Sequence, residues 1–242
     1  MKPVFFKGTL YLIPTTLGES TAAEVLPGSI GRTVSLLNSY IVENEKTARK
    51  FIKEVCPSKS QPDLKLFALN KHTKSEDLQE MLKPLLLGEN MGLMSEAGCP
   101  GVADPGAVIV QLAHQNGIRV VPLVGPSSIL MALMASGLNG QNFAFNGYLP
   151  IDKNERKTSI RSLEKLSMER NQSQIFIETP YRNNKMLEDL LLHLGHSTLL
   201  TIAADITLPT EFIKTTTVQL WRKEKVDLQN RPAIFILLKE KF

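Results

Sequence analysis

Cysteine is scarce in this chain: 242 residues hold two, Cys56 and Cys99. Neither belongs to a CxxC pair or a Cys/His cluster, which argues against a disulfide framework and against a zinc site or other metal centre. Two isolated thiols fit a reducing, cytoplasmic setting. Strong charge of one sign is also missing. The net charge is +4, with no basic tail and no arginine-rich tract. That balance permits RNA or a phosphate-bearing substrate without demanding either. Long apolar runs are absent too. Residues 1–8 carry Lys2 and Lys7 and no apolar core of a signal peptide. Residues 120–138 are uncharged, but Pro122, Gly125, Pro126, Ser127 and Ser128 interrupt them. A strand, a turn and a helix start explain that stretch better than a membrane span. No GxGxxG follows the first strand, where the loop reads Pro14-Thr15-Thr16-Leu17-Gly18-Glu19. A standard dinucleotide-binding half is therefore not expected. A Walker A loop and a GxSxG elbow are lacking as well, against a P-loop nucleotide site and an α/β-hydrolase.

What is present is a globular composition, 43% hydrophobic and 21% charged. Short β-rich runs alternate with helical patterns. Strands are expected at 9–14, 39–42, 65–69, 91–95 and 119–124, with helices at 45–55, 75–87, 107–114 and 127–136. Such alternation implies a mostly parallel sheet covered on both faces. Residues 143–150 read as a short strand entering a turn, and the chain then becomes polar, so a domain boundary is placed near Pro150. That gives an N-terminal α/β domain, 1–149, and a smaller C-terminal α/β domain, 150–242. The second is expected to hold helices near 155–168 and 181–194 and a short one at 218–223, strands at 174–178, 199–204, 211–217 and 233–238, and a more antiparallel end. No repeat or low-complexity tract appears.

The densest signal is residues 94–106, Met-Ser-Glu-Ala-Gly-Cys-Pro-Gly-Val-Ala-Asp-Pro-Gly. A strand delivers the chain into a bent loop whose backbone no side chain blocks, at the strand edge where α/β proteins bind ligands. Two further loops carry the same character: Val124-Gly125-Pro126-Ser127-Ser128 and Phe145-Asn146-Gly147-Tyr148-Leu149-Pro150. Ser127 or Ser128 either caps the next helix or faces a ligand at its free N–H groups. Glycine-rich loops converging on one cleft make a site for a small polar cofactor held by backbone atoms.

These residues carry a resemblance. Gly8-Thr9-Leu10-Tyr11, the Ser95–Gly106 loop, Val121–Ser128, Ala135-Ser136-Gly137-Leu138, Phe145–Pro150 and Glu178-Thr179-Pro180-Tyr181-Arg182 occur in the order seen in the tetrapyrrole-methylase superfamily. Those enzymes use S-adenosylmethionine (SAM). More narrowly, the chain resembles the bacterial 16S rRNA cytidine-2′-O-ribose methyltransferases of that superfamily. The resemblance implies a two-domain α/β tetrapyrrole-methylase-like fold, SAM in the interdomain cleft, and a homodimer. It places the cofactor against Pro14, Gly98, Cys99, Val102, Ser127, Ser128, Tyr148 and Leu149, with Ala203, Ala204, Pro232 and Ala233 closing over it. It also implies 2′-O-ribose methylation of 16S rRNA in the 30S subunit.

The cofactor loops match better than the presumed substrate loops, although Glu96 and Cys99 both replace commoner residues of the Ser95–Gly106 loop. The family's Thr-Pro-Ile-Gly-Asn-Leu is Ile13-Pro14-Thr15-Thr16-Leu17-Gly18-Glu19 here, and its Glu-Asp-Thr-Arg is spread over Glu43–Arg49. Glu96 replaces an aspartate, and Ala204–Leu208 replaces Arg-Glu-Leu-Thr-Lys. Other acceptors therefore stay open: a tetrapyrrole or another small molecule, or SAM binding without catalysis. Methyl transfer is an in-line displacement in which the enzyme chiefly aligns the partners. An alcohol acceptor gains from a nearby base. His72, Glu178 and Arg182 are the acceptor-side candidates. His72 is alternatively a surface-loop residue, Glu178 and Arg182 alternatively a structural ion pair, and the Arg182 fork also suits a phosphate.

Overall fold

The computed structural model describes residues 6–70 and 73–241. The chain divides into two compact units, Met1–Ser127 and Ser128–Phe242.

The first unit is built on five strands: β1 (Thr9–Ile13), β2 (Ser39–Val42), β3 (Lys65–Ala68), β4 (Met91–Met94) and β5 (Arg119–Pro122). They lie in the order β3-β2-β4-β1-β5, and every ladder is parallel. Helices α1 (Ala22–Val25), α2 (Ser29–Leu36), α3 (Glu45–Val55), α4 (Ser75–Leu86) and α5 (Gly106–Gln115) connect them. The strand period of two sends alternate side chains to opposite faces. Tyr40, Val42 and Met94 pack with Ile30, Val34, Phe51 and Ile52 of α2 and α3. Ile41, Met91 and Leu93 pack with Leu82, Leu85 and Ile109 of α4 and α5. The central strands β2 and β4 are buried along their whole length, as a parallel sheet covered on both sides requires. Gly92 makes room for the Tyr40 ring, since a Cβ there would lie 2.6 Å from Tyr40 Cδ1 and 2.7 Å from Ile13 Cδ1. The Tyr40 hydroxyl donates towards the Val34 and Leu37 carbonyls at 3.0 and 3.1 Å, pinning the end of α2 to the sheet.

The second unit holds α6 (Ser128–Ser136), β6 (Phe143–Tyr148), α7 (Lys153–Arg170), β7 (Ser173–Ile177), α8 (Asn183–His193), β8 (Leu199–Ala204), β9 (Phe212–Thr217), α9 (Val218–Trp221) and β10 (Ala233–Leu238). Its sheet runs β6-β7-β10-β8-β9. Only β6–β7 is parallel; the other three ladders are antiparallel. The sequence boundary near Pro150 falls after β6. The ladder from β6 to β7 and the 2.8 Å bond from Thr215 Oγ1 to the Ser136 carbonyl hold α6 and β6 in the second unit instead. Phe176 and Phe235 stack at 5.7 Å in its core.

α7 and α8 are joined by a buried ion pair. Arg156 Nε and Nη2 donate to Asp189 Oδ2 at 2.8 and 2.6 Å, with side chains 10% and 4% exposed. Arg156 Nη1 also donates to the Pro150 and Ile151 carbonyls. Removing one member of such a pair strands the other charge in the interior. Asp189→Ala is expected to cost about 3–5 kcal/mol, read as a drop in the unfolding midpoint in urea. A change below about 1 kcal/mol would show the pair to be dispensable.

Candidate active site

The strand order sets the place. β1 and β4 are neighbours, yet the chain leaves β1 for β2 on one side and leaves β4 for β5 on the other. Connections that leave adjacent parallel strands for opposite faces of the sheet, as those through α2 and α5 do here, open a crevice at the strands' carboxyl ends. The loops after β1, β4 and β5 interlock there. Thr15 N–H donates to the Gly98 carbonyl at 3.0 Å, and Gly98 N–H donates to the Thr16 carbonyl at 3.4 Å. The Cys99 thiol donates to the Pro126 carbonyl at 3.3 Å. Gly98 has φ +71°, and a Cβ on it would come within 3.0 Å of Leu17 Cδ2 and 3.3 Å of the Pro126 carbonyl. Gly125 lies flat on Pro14, where a Cβ would sit 2.2 Å from Pro14 Cβ. Burial pushes the Cys99 thiol above its ordinary value, so it stays protonated.

Asp104 closes the far side of the β4 loop. Its Oδ1 accepts from Gly101 N–H at 2.9 Å and Gly106 N–H at 2.7 Å. Burial raises its carboxyl while those two N–H groups pull the other way. Val102, at the tip, is about half exposed. Around Gly101 a Cβ would meet nothing, so bare backbone borders open space there.

Beside this knot lies a cleft of about 420 Å³, lined by Thr15, Thr16, Glu43, Thr47, Ser95 and Glu96 and walled further out by Glu19, Lys50 and Glu54. Glu43 Oε1 accepts from Glu96 N–H at 3.0 Å. Thr47 Oγ1 donates to Glu96 Oε1 at 3.3 Å. Glu43 is held above its ordinary value, first by burial and then by the negative charges of Asp104 and Glu96. Sequence reading did not single out Glu43 as a site residue. The ladder pairing Val42 with Met94 is what sets Glu43 beside Ser95 and Glu96.

The other expected residues fall as follows. Pro14, Gly98 and Cys99 come together in the first unit. Val102 is in the same loop, and Ser127, half-buried, ends that unit. Ser128 opens α6. Tyr148 is exposed and Leu149 buried; the register shift between Phe145 and Tyr148, with Gly147 at φ +63°, turns them apart. Ala203 and Ala204 are buried on β8, and Ala204 pairs with Ala233. The exposed Pro232 accepts Asp205 N–H at 3.0 Å. Just beyond, Asp205 and Thr207 have φ of +51° and +74°, a region that a β-branched threonine avoids unless its surroundings impose it. Arg231 Nε and Thr210 Oγ1 hold Asp205 Oδ2 at 2.7 and 3.0 Å. Glu178 and Arg182 are an ion pair of 2.5 Å, and Glu178 Oε1 also accepts from Thr179 N–H and Oγ1. His72 lies outside the described residues. Among those residues no cluster of metal-ligating side chains occurs, and no helix is long and apolar enough to cross a membrane.

Residues 30–220 match the family of Tetrapyrrole (Corrin/Porphyrin) Methylases. Among curated proteins, the chain is similar to ribosomal RNA small subunit methyltransferase I of Vibrio cholerae, 33% identical over 208 residues, 85% of this chain and 67% of that protein. The protein of the same name from Escherichia coli O157:H7 is 29% identical, covering 97% of this chain and 78% of the relative. Among solved structures, the methyltransferase CobJ covers 96% of this chain and 94% of its own at TM-score 0.64 and 14% identity. A uroporphyrin-III C-methyltransferase from Thermus thermophilus, complexed with S-adenosylhomocysteine, covers 96% of this chain and 98% of its own at TM-score 0.56 and 17% identity. At such identities these structures speak for the fold alone.

Two outcomes follow for the first unit. Gly125→Ala forces a methyl group onto Pro14 and is expected to lose about 1–3 kcal/mol by overpacking; a thermal midpoint equal to wild type would show that the loops give way. Glu43 is protonated more readily folded than unfolded, so its ionisation destabilises the fold. Wild type has its full share of stability below the ordinary carboxylate range and loses it as pH rises through the raised folded value. Glu43→Gln keeps an acceptor for Glu96 N–H and removes that charge. It should melt above wild type near pH 7 and level with it near pH 4, as checked by calorimetry at both values.

Proposed function

Because the chain belongs to the tetrapyrrole methylase family of SAM-dependent methyltransferases, we propose that it methylates a ribose 2′-hydroxyl of small-subunit ribosomal RNA. The observation that carries this reading is the pair of relatives named ribosomal RNA small subunit methyltransferase I, aligned over 85% and 97% of the chain.

The residues present suit the cofactor. SAM, when bound, supplies a methyl group activated by a sulfonium. The β4 loop offers bare backbone at Gly101, and the neighbouring Asp104, Glu43 and Glu96 favour a cation. Cys99 is held as a protonated thiol bonded to Pro126, so it does not compete as a nucleophile. Pro14, Gly98, Cys99 and Val102 are the first unit's cofactor-side residues. On the acceptor side, a carboxylate whose proton affinity is raised serves as base better than an ordinary one. Glu43 meets that condition. Glu178 already accepts from three groups. It therefore acts as a positioning residue for Arg182, whose remaining guanidinium edge suits a phosphate.

The test is transfer of labelled methyl from SAM to 30S subunits isolated from a strain lacking the gene. Nuclease digestion then locates the label. Label on a ribose of 16S rRNA is expected, with Glu43→Gln lowering kcat by about 10²–10⁴-fold. Label absent from 30S subunits but present on a tetrapyrrole would overturn the reading.

A further inference from the structure

The longest helix of the chain carries a feature that the methyl-transfer site does not use. α7 spans eighteen residues and places Lys153, Lys157, Arg161 and Lys165 four residues apart. Each step of four advances about 6 Å along the axis and turns about 40° around it. The cations thus form a slanted row about 18 Å long. Lys153, Arg161 and Lys165 are exposed and Lys157 half-buried. A neighbouring face of the helix, with Arg156, Ile160, Leu163 and Ser167, is buried in the second unit.

The row is short of counter-charge. Among the described residues, Lys153, Lys157 and Arg161 form no ion pair; Lys165 alone reaches a carboxylate, Glu169 at 3.8 Å. Of the acids nearby, Glu155 forms no ion pair among the described residues and four others are committed elsewhere. Asp152 caps the helix by accepting from Asn154 and Glu155 N–H. Glu164 accepts from Gly195 N–H and the Thr198 hydroxyl. Asp189 holds Arg156, and Glu188 holds Lys185. His193, on the packed helix α8, registers the resulting field. Burial lowers its proton affinity first, then Lys157; Asp189 pulls the other way, and Arg161 and Lys153 follow on the side of Lys157. Free cations repelling one another on a folded surface lower stability, so their retention in one row wants a polyanion.

We propose that this row of α7 is a docking surface for the phosphodiester backbone of an RNA acceptor. The proposal rests on the ribosomal-RNA reading for the identity of that RNA, but not on the chemistry at Glu43. Evenly spaced cations on a rigid helix neutralise successive phosphates without reading bases. The surface therefore supplies affinity and orientation, while the choice of nucleotide is made elsewhere.

The experiment compares the whole protein with the triple variant Lys153→Ala, Lys157→Ala, Arg161→Ala. A charge-keeping control carries Lys153→Arg, Lys157→Arg and Arg161→Lys. Binding of a fluorescein-labelled single-stranded oligoribonucleotide is followed by anisotropy over a salt series. With three phosphates no longer neutralised, the slope of log affinity against log salt should flatten by about 2, and the control should keep the wild-type slope. SAM affinity by calorimetry should be the same in all three, and transfer to 30S subunits should show a raised KM at unchanged kcat. An unchanged slope in the alanine variant, a control as impaired as that variant, or a wild type that does not bind the oligoribonucleotide would each overturn the proposal. Wild type that binds RNA through the row yet leaves 30S subunits unmethylated sinks the ribosomal reading and spares the surface.

Discussion

The site of this protein depends on one close approach, that of three loop backbones at the carboxyl edge of the first sheet. Gly98 sits between Thr15 and Pro126, and Gly125 lies against Pro14. No side chain fits at either glycine without displacing its neighbour, and Gly98 also needs a positive φ. The hydrogen bonds that close the knot are each worth only about 0.5–1.5 kcal/mol. They hold because the strand ends are delivered in register. β1 pairs with β4 on one side and β5 on the other, through Ile13–Met94 and Leu12–Pro122. The two cores on opposite faces of that sheet fix the strands, the strands fix the loop ends, and the loops then have little freedom left.

Charge is distributed differently in the two units. In the first, Glu43, Glu96 and Asp104 crowd a crevice. Burial first, and crowding after it, raises the cost of ionising Glu43, which is the cost of making it a better proton acceptor. Stability and reactivity are thus opposed at one carboxylate, a trade seen where a site is kept strained or charged for function. In the second unit the free cations stand on an exposed helix face, where solvent limits their mutual repulsion to a modest penalty. The buried charges there behave oppositely. Arg156 and Asp189 satisfy one another and the carbonyls of Pro150 and Ile151, so they cement α7 to α8 and expose little field. The same helix therefore presents a neutralised face inward and an unneutralised one outward.

Much of the fold is legible in residue order because local signals and tertiary demands agree. The Ser95–Gly106 loop announces itself, since a chain needs glycine and proline to bend that sharply. The helices at Ala22–Val25 and Ser29–Leu36 are not assigned from sequence. Ile30, Val34 and Leu37 do recur at helical spacing, but Gly31 and the surrounding Ser and Thr lower the helical propensity of so short a segment. Gly31 is there for packing: a Cβ would lie 2.5 Å from the Val55 carbonyl. The boundary near Pro150 follows the change in composition, whereas the compact units follow the β6–β7 ladder, which no local pattern encodes.

The carboxylates of the cleft mark where sequence reading stops. Glu43 and Glu96 are fifty-three positions apart, and each alone is an ordinary acidic residue in a loop. Their meeting needs two facts that neither segment contains: that β2 neighbours β4, and that Val42 aligns with Met94. Given both, the geometry follows at once, because the residue after Val42 and the residues after Met94 leave the sheet from the same edge. A shift of one residue in that ladder would turn β2 over, sending Tyr40 and Val42 out of one core and Ile41 out of the other. The run Tyr40-Ile41-Val42, with its large side chains fitted to two different cores, therefore does more than build a core. By forbidding the slipped register, it places one carboxylate against another.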